Sequence, residues 1–415
     1  MNYQLRREIF LNNLKENSIA IFFSGFAAHK SCDAKFHFHV NRNFYYLTGI
    51  EEEGIALVLI KTTNKMDGYL YIKELDPAMA LWVGETISKE EASNKSMIKD
   101  VRFIKKFQAD VFNFLQMTRN SLGEINNLYL DLENRYPLEF TPKPVSFAKE
   151  IKEKFPHINI ENSYNIITDM RTIKDESEIK MIKEAIKITD SGIQALMKNV
   201  DKAKTEKELE FHYVKTLYEN NTKESFNTIA ACGKNATILH YEKNNAPLDK
   251  NALILFDLGC LFQNYASDIS RTFPLNGKFT KRQKEIYQVV LNANKEAIAK
   301  VEPGMTMNEF ENLARNVLIK GLKELNLIKE DSEVSKYYYH RLGHSLGLDV
   351  HDPGNVNLIL PGMVLTVEPG LYIASEGIGI RIEDNILITE KGAINLSANI
   401  IKEIADIENF MAKGK

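Results

Sequence analysis

The sequence is poor in the features that mark secreted, membrane-bound and nucleic-acid-binding proteins. Its 415 residues include three cysteines, none in a CxxC pair, which excludes a disulfide framework and predicts a reducing compartment. Residues 1–25 contain no signal-peptide core, and no apolar run approaches the roughly 18 residues of a membrane span. With a net charge of -3 and no basic block, general nucleic-acid binding is not expected. We therefore expect a cytoplasmic protein that binds neither membranes nor nucleic acids.

The composition is otherwise that of a globular protein with more than one domain. The chain is 44% hydrophobic and 26% charged, and its length suits two or three domains. A boundary is expected between Ser163 and Lys174. We predict an α/β domain over residues 1–165, a larger α+β domain over residues 166–406 and a C-terminal tail over residues 407–415, frayed from Met411 to Lys415.

Helix and strand patterns alternate in the first domain. The predicted helices are Asn2–Asn17, Lys89–Ser96 and Ala109–Asn120, and the predicted strands are Ile19–Phe23, Phe44–Leu47, Ile55–Ile60, Tyr69–Ile72 and Leu128–Leu132. In the second domain, helix-start signals stand at Asp175 and in two capping boxes, Thr205 with Glu208 and Thr306 with Glu309.

Two predicted β-hairpins of the second domain carry acidic residues inside apolar strands. In the hairpin 252–273, a turn centred on residues 262–263 places Asp257 directly opposite Asp268. Like charges at directly opposed positions destabilise a sheet unless a cation compensates them.

The second hairpin, residues 362–389, repeats the arrangement. A turn centred on residues 375–376 places Glu368 opposite Glu383. Four clustered carboxylates are costly without metal ions, and oxygen-rich ligand sets suit hard divalent ions such as manganese. The two hairpins together predict a metal site.

Histidines supply the remaining candidates. His340, His344 and His351 lie in one short stretch, and His240 lies apart from them. Although His340 and His344 have the spacing of a helical metal pair, the glycines between them and the missing glutamate exclude an HExxH zinc motif. We expect one histidine to be a nitrogen ligand and the others to be hydrogen-bond donors.

These motifs resemble the metallopeptidase family of creatinase, prolidase and aminopeptidase P, whose catalytic domain has the pita-bread fold with pseudo-two-fold halves. The matching stretches are Asp257-LG, Ser267-DISRTF, His340-RLGHSLGLDVHD, Thr366-VEPGLY and Gly379-IRIEDN, together with the linker Met170-RTIKDESEI and the substrate-side segment Ser225-FNTIAACGKNATILHY. The resemblance implies five metal ligands, in chain order Asp257, Asp268, His344, Glu368 and Glu383.

The first domain also contains a stretch that resembles a known family. The stretch Arg42-NFYYLTG is similar to the N-terminal domain of aminopeptidase P and prolidase, although Asn43 stands where aspartate is common. The sole tryptophan, Trp82, lies in Leu81-WVGE, which is similar to a segment that reaches a neighbouring subunit's active site in tetrameric relatives. A core tryptophan is the alternative. The resemblance implies a homodimer or homotetramer.

By resemblance, the expected activity is hydrolysis of the bond between an N-terminal residue and a following proline. Two divalent ions, most often Mn²⁺ in this family, would hold the attacking hydroxide. Asp257 would bind one ion, His344 and Glu368 the other, and Asp268 and Glu383 both.

The resemblance also implies roles for residues around the ions. Glu368 would carry a proton to the leaving nitrogen, His351 would stabilise the oxyanion, and His240 would assist catalysis. The predicted substrate-binding residues are His240, His340, His351, Arg381 and Tyr372. Arg381 has two other possible roles, holding the carboxylate of a short peptide or orienting Glu383 by a salt bridge.

Two other functions remain open at this point. A prolidase restricted to Xaa-Pro dipeptides would use the same residues. A non-catalytic binding protein on this fold would be expected to lose metal ligands, whereas all five candidates are present.

Overall fold

A computed structural model describes residues 1–63, 65–74, 76–117, 122–354 and 357–413. The chain forms two compact units, Met1–Met170 and Arg171–Lys415. The division after Met170 lies within the predicted boundary region, Ser163 to Lys174, and five residues beyond the predicted end of the first domain at residue 165. Among the described residues, no helix has both the length and the apolar character needed to cross a bilayer.

The first unit alternates helices and strands. Its elements are α1 (Tyr3–Asn12), β1 (Ser18–Phe23), β2 (His29–Ser31), β3 (Ala34–Lys35), α2 (Arg42–Thr48), β4 (Ala56–Thr62), β5 (Lys65–Ile72), α3 (Pro77–Val83), α4 (Lys89–Ser96), β6 (Asp100–Phe103), a 3₁₀ turn (Ile104–Lys106), α5 (Phe107–Leu115), β7 (Asn127–Leu130), α6 (Lys143–Lys154), β8 (Asn159–Asn162) and α7 (Tyr164–Thr172).

A mixed six-stranded sheet organises this unit, in the order β6-β5-β4-β1-β7-β8. Strand β1 pairs antiparallel with β4 and parallel with β7. Alternate residues of β1, such as Ile19 and Ile21, join Phe107 of α5 and Phe147 of α6 in one buried cluster. Burying this apolar face between sheet and helices stabilises the unit.

Most of the elements predicted for this unit are confirmed, within a few residues at their ends. The strand predicted at residues 44–47 is wrong, because this segment is helix α2. Asn41 caps the helix by accepting a hydrogen bond from the Phe44 amide, and Gly49 ends it with a φ of 69°. The apolar run is buried on nearly every side, so its periodicity does not separate helix from strand. Residues 118–120 of the predicted helix 109–120 lie outside the described residues.

Two individual positions of this unit bear on the sequence predictions. Asn43 is buried and donates from Nδ2 to Asp131 Oδ2 at 2.9 Å, which is a structural contact. Trp82, on α3, is 84% exposed, so the alternative of a core tryptophan is wrong. Its neighbours Leu81 and Val83 are also exposed, because α3 buries none of its residues within the unit.

The second unit contains α8 (Glu176–Asn199), α9 (Glu206–Glu219), β9 (Lys223–Glu224), β10 (Ile229–Cys232), a 3₁₀ turn (Gly233–Thr237), β11 (Leu253–Leu258), β12 (Cys260–Phe262), β13 (Tyr265–Ala266), β14 (Ile269–Pro274), α10 (Lys281–Lys300), α11 (Met307–Glu324), a 3₁₀ turn (Asp331–Lys336), β15 (Val364–Val367), β16 (Gly370–Ile373), β17 (Ile378–Arg381), β18 (Asp384–Thr389), β19 (Gly392–Asn395) and α12 (Ile404–Lys413).

This unit repeats one succession of elements twice. Helices α8 and α9 pack together and precede strands β9 to β14, and helices α10 and α11 pack together and precede strands β15 to β19. Each half contributes an antiparallel hairpin, β11 with β14 and β16 with β17. The two hairpins are the ones in which the sequence places its acid pairs.

The helix-start predictions are confirmed with one difference. Asp175 and Thr306 take part in complete capping boxes. Thr205 also accepts a hydrogen bond from the Glu208 amide, but the Glu208 carboxylate accepts from the Lys204 amide, so this box is half formed.

The tail predicted over residues 407–415 is corrected by the structure, since residues 404–413 form helix α12. Ile407 and Met411 are buried at helical spacing, which gives this segment a packed face. The last two residues lie outside the described residues.

Candidate active site and its metal-binding residues

The first hairpin carries Asp257 on β11 and Asp268 just before β14. Asp257 pairs with Ser270, so the prediction that it lies directly opposite Asp268 is wrong. The turn is centred on Gln263 and Asn264, both with positive φ (47° and 65°), as two-residue hairpin turns require. The error is two residues, which preserves the side-chain alternation, so both aspartates still face one cavity.

The second hairpin has the predicted register. Gly370 pairs with Arg381, and in the neighbouring ladder Val367 pairs with Asp384, which together place Glu368 opposite Glu383. Both glutamates stand where the strands are interrupted.

Hydrogen bonds join the two hairpins around the acids. Asn385 donates from Nδ2 to the Asp268 carbonyl at 2.6 Å and accepts from the Asp268 amide at 3.2 Å. The Glu383 amide donates to the Ser270 carbonyl at 3.1 Å. These contacts fix the backbones of Asp268 and Glu383 together, although the two residues belong to different halves of the unit.

His344 presents one ring nitrogen to the acids. Its Nδ1 lies 3.0 Å from the Ser345 carbonyl and donates to it, which leaves Nε2 as the coordinating nitrogen. Nε2 lies 3.4 Å from Asp268 Oδ2 and 3.6 Å from Glu368 Oε1. Ligand atoms of Asp268, His344 and Glu383 all lie within 4.8 Å of one another, so these three could hold one ion.

A cavity of about 740 Å³ contains the whole set. The five predicted metal ligands line it, as do four of the predicted substrate residues, namely His240, His340, His351 and Arg381. Tyr372 is not among the lining residues. It is 2% exposed, and its hydroxyl contacts Arg381 and His340.

The shifted pKa values of the acids and His344 are those expected of a cavity that fits cations. Burial raises the pKa of Asp257 to about 6 and that of Glu368 to about 8, and repulsion from Asp268 adds to both rises. Burial and the neighbouring carboxylates raise the pKa of Glu383 well above its ordinary value. Burial lowers the pKa of His344, but Asp268 and Glu368 outweigh it and raise the pKa to about 9. Without cations the cluster therefore retains protons, which metal binding would release.

Unsatisfied oxygens support the same fit. Within the described part of the chain, Asp257 Oδ1 and Glu383 Oε1 are buried and have no hydrogen-bond partner. Each residue has its other oxygen bound, Asp257 Oδ2 by Arg381 at 2.6 Å and Glu383 Oε2 by the Ser270 hydroxyl at 2.8 Å. Buried carboxylate oxygens without donors are costly unless they coordinate a metal.

Arg381 is almost fully buried and binds three groups of the site. It donates to Asp257 Oδ2, to the Ser270 hydroxyl at 2.7 Å and to the Tyr372 hydroxyl at 3.0 Å. The suggested salt bridge from Arg381 to Glu383 is corrected to one with Asp257, and Ser270 connects Arg381 to Glu383. Each nitrogen of the guanidinium has a protein partner, so the arrangement favours a supporting role over substrate binding.

The remaining histidines surround the acids. His340 Nε2 lies 2.8 Å from the Tyr372 hydroxyl and Nδ1 lies 2.8 Å from the Arg341 carbonyl. Burial lowers the pKa of His340 to about 4, so its ring is neutral near pH 7. His351 stacks on His344 with ring centroids 3.9 Å apart, and His240 is exposed in the cavity wall.

Sequence reasoning missed the residues that support the ligands. Ser270 lies two positions after Asp268 and therefore on the same side of the strand. This alternation in the sequence could have identified Ser270 as a residue of the site. Arg271 and Asp384 form an ion pair of 2.7 Å with both side chains fully buried beside the ligands Asp268 and Glu383. No local pattern shows this pair, because its members lie in different halves of the unit.

Gly343→Ala is expected to weaken metal binding. A Cβ at this position would lie 2.0 Å from the Thr366 carbonyl oxygen, and the Thr366 hydroxyl holds the His344 amide at 3.0 Å. The backbone beside His344 must therefore move, and we expect metal affinity to fall about 10- to 100-fold, as for lost second-shell support. Titration calorimetry with Mn²⁺ would measure this. Gly68→Ala controls for loss of a glycine, because its φ is not positive and a Cβ there would meet the end of the Leu59 side chain at 3.2 Å. Equal affinities in both variants would contradict the prediction.

Comparison with known proteins agrees with these observations. The sequence profile described as "Metallopeptidase family M24" matches residues 180–390, and the profile "Aminopeptidase P, N-terminal domain" matches residues 3–122. The chain is 34% identical to the Xaa-Pro aminopeptidase of Haemophilus influenzae, over 99% of this chain and 96% of that one. It is 31% identical to the Xaa-Pro aminopeptidase of Escherichia coli, over 100% and 98%.

Solved structures give the same result. A protein assigned as an aminopeptidase P from Bacillus anthracis matches with a TM-score of 0.95 and 45% identity, covering 100% of this chain and 98% of that one. Zinc-substituted E. coli aminopeptidase P in complex with product matches with a TM-score of 0.90 and 29% identity, over the same shares. The chain therefore belongs to metallopeptidase family M24 and has the two-domain fold of aminopeptidase P.

Proposed function

We propose that the chain is an aminopeptidase that removes the N-terminal residue from peptides with proline in second position. One observation carries the proposal, which is that five ligand-type side chains line a single cavity of about 740 Å³. Relatives matched over nearly their full length bear the name Xaa-Pro aminopeptidase, which supports this activity over that of a prolidase. The complete ligand set speaks against a non-catalytic binding protein.

The proposed cofactor is a pair of divalent metal ions, and Mn²⁺ suits the oxygen-rich ligands. Asp257, Asp268, His344, Glu368 and Glu383 would hold the pair. When bound, such ions lower the pKa of a water molecule and polarise the scissile carbonyl group. Arg381 and Ser270 would keep Asp257 and Glu383 in place, and each carboxylate has one oxygen without a hydrogen-bond partner among the described residues.

Proton transfer is assigned to Glu368. Its Oε1 accepts a hydrogen bond from the Thr366 hydroxyl at 3.3 Å, and the carboxylate faces the cavity. A proline nitrogen in a peptide bond carries no hydrogen and must gain a proton before it can leave. Glu368 would take up the proton that the attacking water releases and, as a carboxylic acid, would pass it to the proline nitrogen.

The histidines are assigned to the substrate. His351 and His240 would donate hydrogen bonds to peptide oxygens, with His351 nearest to the developing oxyanion. His340, held by Tyr372, would form a wall for the proline ring. Arg381 and Tyr372 would act indirectly, through Asp257 and His340.

Cleavage of Arg-Pro-Pro, with release of free arginine, tests the proposal directly. We expect hydrolysis with Mn²⁺, loss of hydrolysis with a chelator, and slower cleavage of the dipeptide Arg-Pro. Replacing the second residue by alanine should slow cleavage at least about 10-fold, since a shaped apolar pocket discriminates by roughly that much. Chromatographic measurement of arginine would check all four. Cleavage of Arg-Pro alone would establish the prolidase alternative.

Assembly and location are further proposals. Exposed Leu81, Trp82 and Val83 on α3 support a homodimer or homotetramer in which this helix meets another subunit. The three cysteines are free, which supports a location in the reducing cytoplasm.

A further inference from the structure

The linker stretch Met170-RTIKDESEI supplies two buried cations to the loop that bears His351. Arg171 Nη2 donates to Asp352 Oδ1 at 2.5 Å, and Lys174 Nζ donates to Asp352 Oδ2 at 3.1 Å. The three side chains are 3%, 1% and 1% exposed. We call Arg171, Lys174 and Asp352 the linker clamp.

The linker clamp fixes the loop between His344 and Asp352. The Asp352 amide donates to the Ser345 carbonyl at 2.9 Å, and Asp352 Oδ1 accepts from the Asp349 amide at 3.1 Å. Gly347 lies so close to the clamp that a Cβ there would stand 2.7 Å from Asp352 Oδ2. The amide and the carboxylate of Asp352 therefore hold the two ends of this loop together.

His351 immediately precedes the clamped aspartate and lines the cavity together with Ser345, Val350 and Asp352. The ring lies on that of His344 with an interplanar angle of 14°. The side chain of His351 is exposed on its cavity side. The two cations hold the side chain of the next residue, Asp352, and so restrict the backbone from which the His351 ring projects.

The charges of the linker clamp are matched once Asp349 is included. Arg171 Nη2 also contacts Asp349 Oδ2 at 2.6 Å, so two cations face two carboxylates. Burial raises the pKa of Asp352, but Arg171 and Lys174 outweigh it and hold the pKa below its ordinary value. A buried ion cluster contributes little net stability compared with apolar packing of similar volume. Its main effect is to fix the positions of the groups that it joins.

We propose that the linker clamp positions His351 over the substrate, so that Arg171, Lys174 and Asp352 are positioning residues for the reaction. The inference rests on the proposed peptidase function and on the role assigned to His351 within it. The linker segment then takes part in catalysis without touching the substrate.

A double-mutant cycle between the linker clamp and His351 tests this. Lys174→Met keeps the approximate length of the side chain and removes one cation. Arg171→Lys keeps the charge and removes the Nη2 group that contacts both Asp349 and Asp352. Each is measured alone and with His351→Ala, for kcat and KM on Arg-Pro-Pro and for bound Mn²⁺ by elemental analysis. Lys295→Met is the matched control, because Lys295 is 53% exposed and pairs with Glu403 away from the cavity.

We expect each clamp variant to lower kcat about 10-fold, as misplacement of a catalytic group does, with bound Mn²⁺ unchanged. In the His351→Ala background the same substitutions should change kcat less than about 2-fold, since the residue they position is gone. Equal losses in both backgrounds would overturn the inference while leaving the peptidase function intact.

Two further outcomes are decisive. If His351→Ala alone retains full activity, the role of His351 is wrong and the clamp proposal falls with it, although hydrolysis by the wild-type chain still supports the proposed function. If Lys174→Met fails to fold, Arg171→Lys provides the test, because it keeps the buried charge and changes only the geometry of the contact with Asp352. Arg171→Lys should then lower kcat only when His351 is present.

Discussion

Asp268→Asn is expected to abolish peptide hydrolysis and, at the same time, to make the metal-free protein more resistant to heat. The carboxylate of Asp268 adds to the raised pKa values of Asp257, Glu368 and Glu383, which shows that the acids repel one another. Asparagine has the same shape without the charge. The substitution therefore relieves repulsion from three acids in the metal-free cavity, which we expect to outweigh the lost contact with His344, and it removes a proposed metal ligand.

The expected loss of kcat/KM is on the order of 10³-fold or more, because metal ions supply several kcal/mol of transition-state stabilisation. In the wild-type chain, Mn²⁺ at 100 times its Kd should add about 2.7 kcal/mol to the free energy of unfolding. Asp268→Asn should show little of this increment.

Thermal unfolding with Mn²⁺ and with chelator, alongside kinetics, measures both effects. Asp331→Asn is a control for the change of residue type, since Asp331 is 67% exposed and pairs only with Lys323 among the ion pairs of the described residues. A variant that keeps the wild-type increment in Tm on adding Mn²⁺ would show that Asp268 is not a ligand.

Arg381→Met is expected to destabilise the fold and to disorganise the metal site together. Arg381 binds Asp257, Ser270 and Tyr372 and is 4% exposed. Its removal leaves the Asp257 carboxylate buried without a cation, and breaking a buried ion pair in this way costs about 3–5 kcal/mol. Urea unfolding in the presence of chelator would measure the change in the free energy of unfolding.

Arg381→Lys separates the two effects. Lysine retains the charge but lacks the planar fork that reaches three partners at once. We expect most of the stability to be retained, with metal affinity or kcat reduced about 10- to 100-fold, as for lost second-shell contacts. If Arg381→Lys were as active as the wild type, charge alone would account for the role of Arg381, and the network through Ser270 and Tyr372 would be dispensable.

The contents of the cavity could be predicted from the sequence because strand alternation is a strong constraint. Glu368 and Glu383 were placed opposite each other correctly, since the second hairpin follows simple pairing. The first hairpin was displaced by two residues, because its turn was centred one position too early, before the Gln263-Asn264 pair that takes positive φ. Even so, Asp257 and Asp268 stayed on the predicted face.

The supporting contacts could not be predicted in this way. Arg381 meets Asp257, and Arg171 meets Asp352, across more than 120 positions of sequence. Neither periodicity nor a local motif predicts which distant residue will form an ion pair with a given buried charge. The secondary structure of residues 44–47 is mispredicted for a related reason, because an apolar run buried on nearly every side shows no hydrophobic period. The helical state of α2 depends on Asn41 and Gly49 at its ends.

The division of the ligands between two hairpins has a consequence for synthesis. Domains fold progressively as the ribosome adds about 5–20 residues per second. Asp257 and Asp268 emerge early, whereas Glu383 and the Asn385 that ties it to Asp268 emerge more than 100 residues later. A nascent chain is therefore expected to lack the complete ligand set, and with it peptidase activity, until nearly all of the chain has left the ribosome.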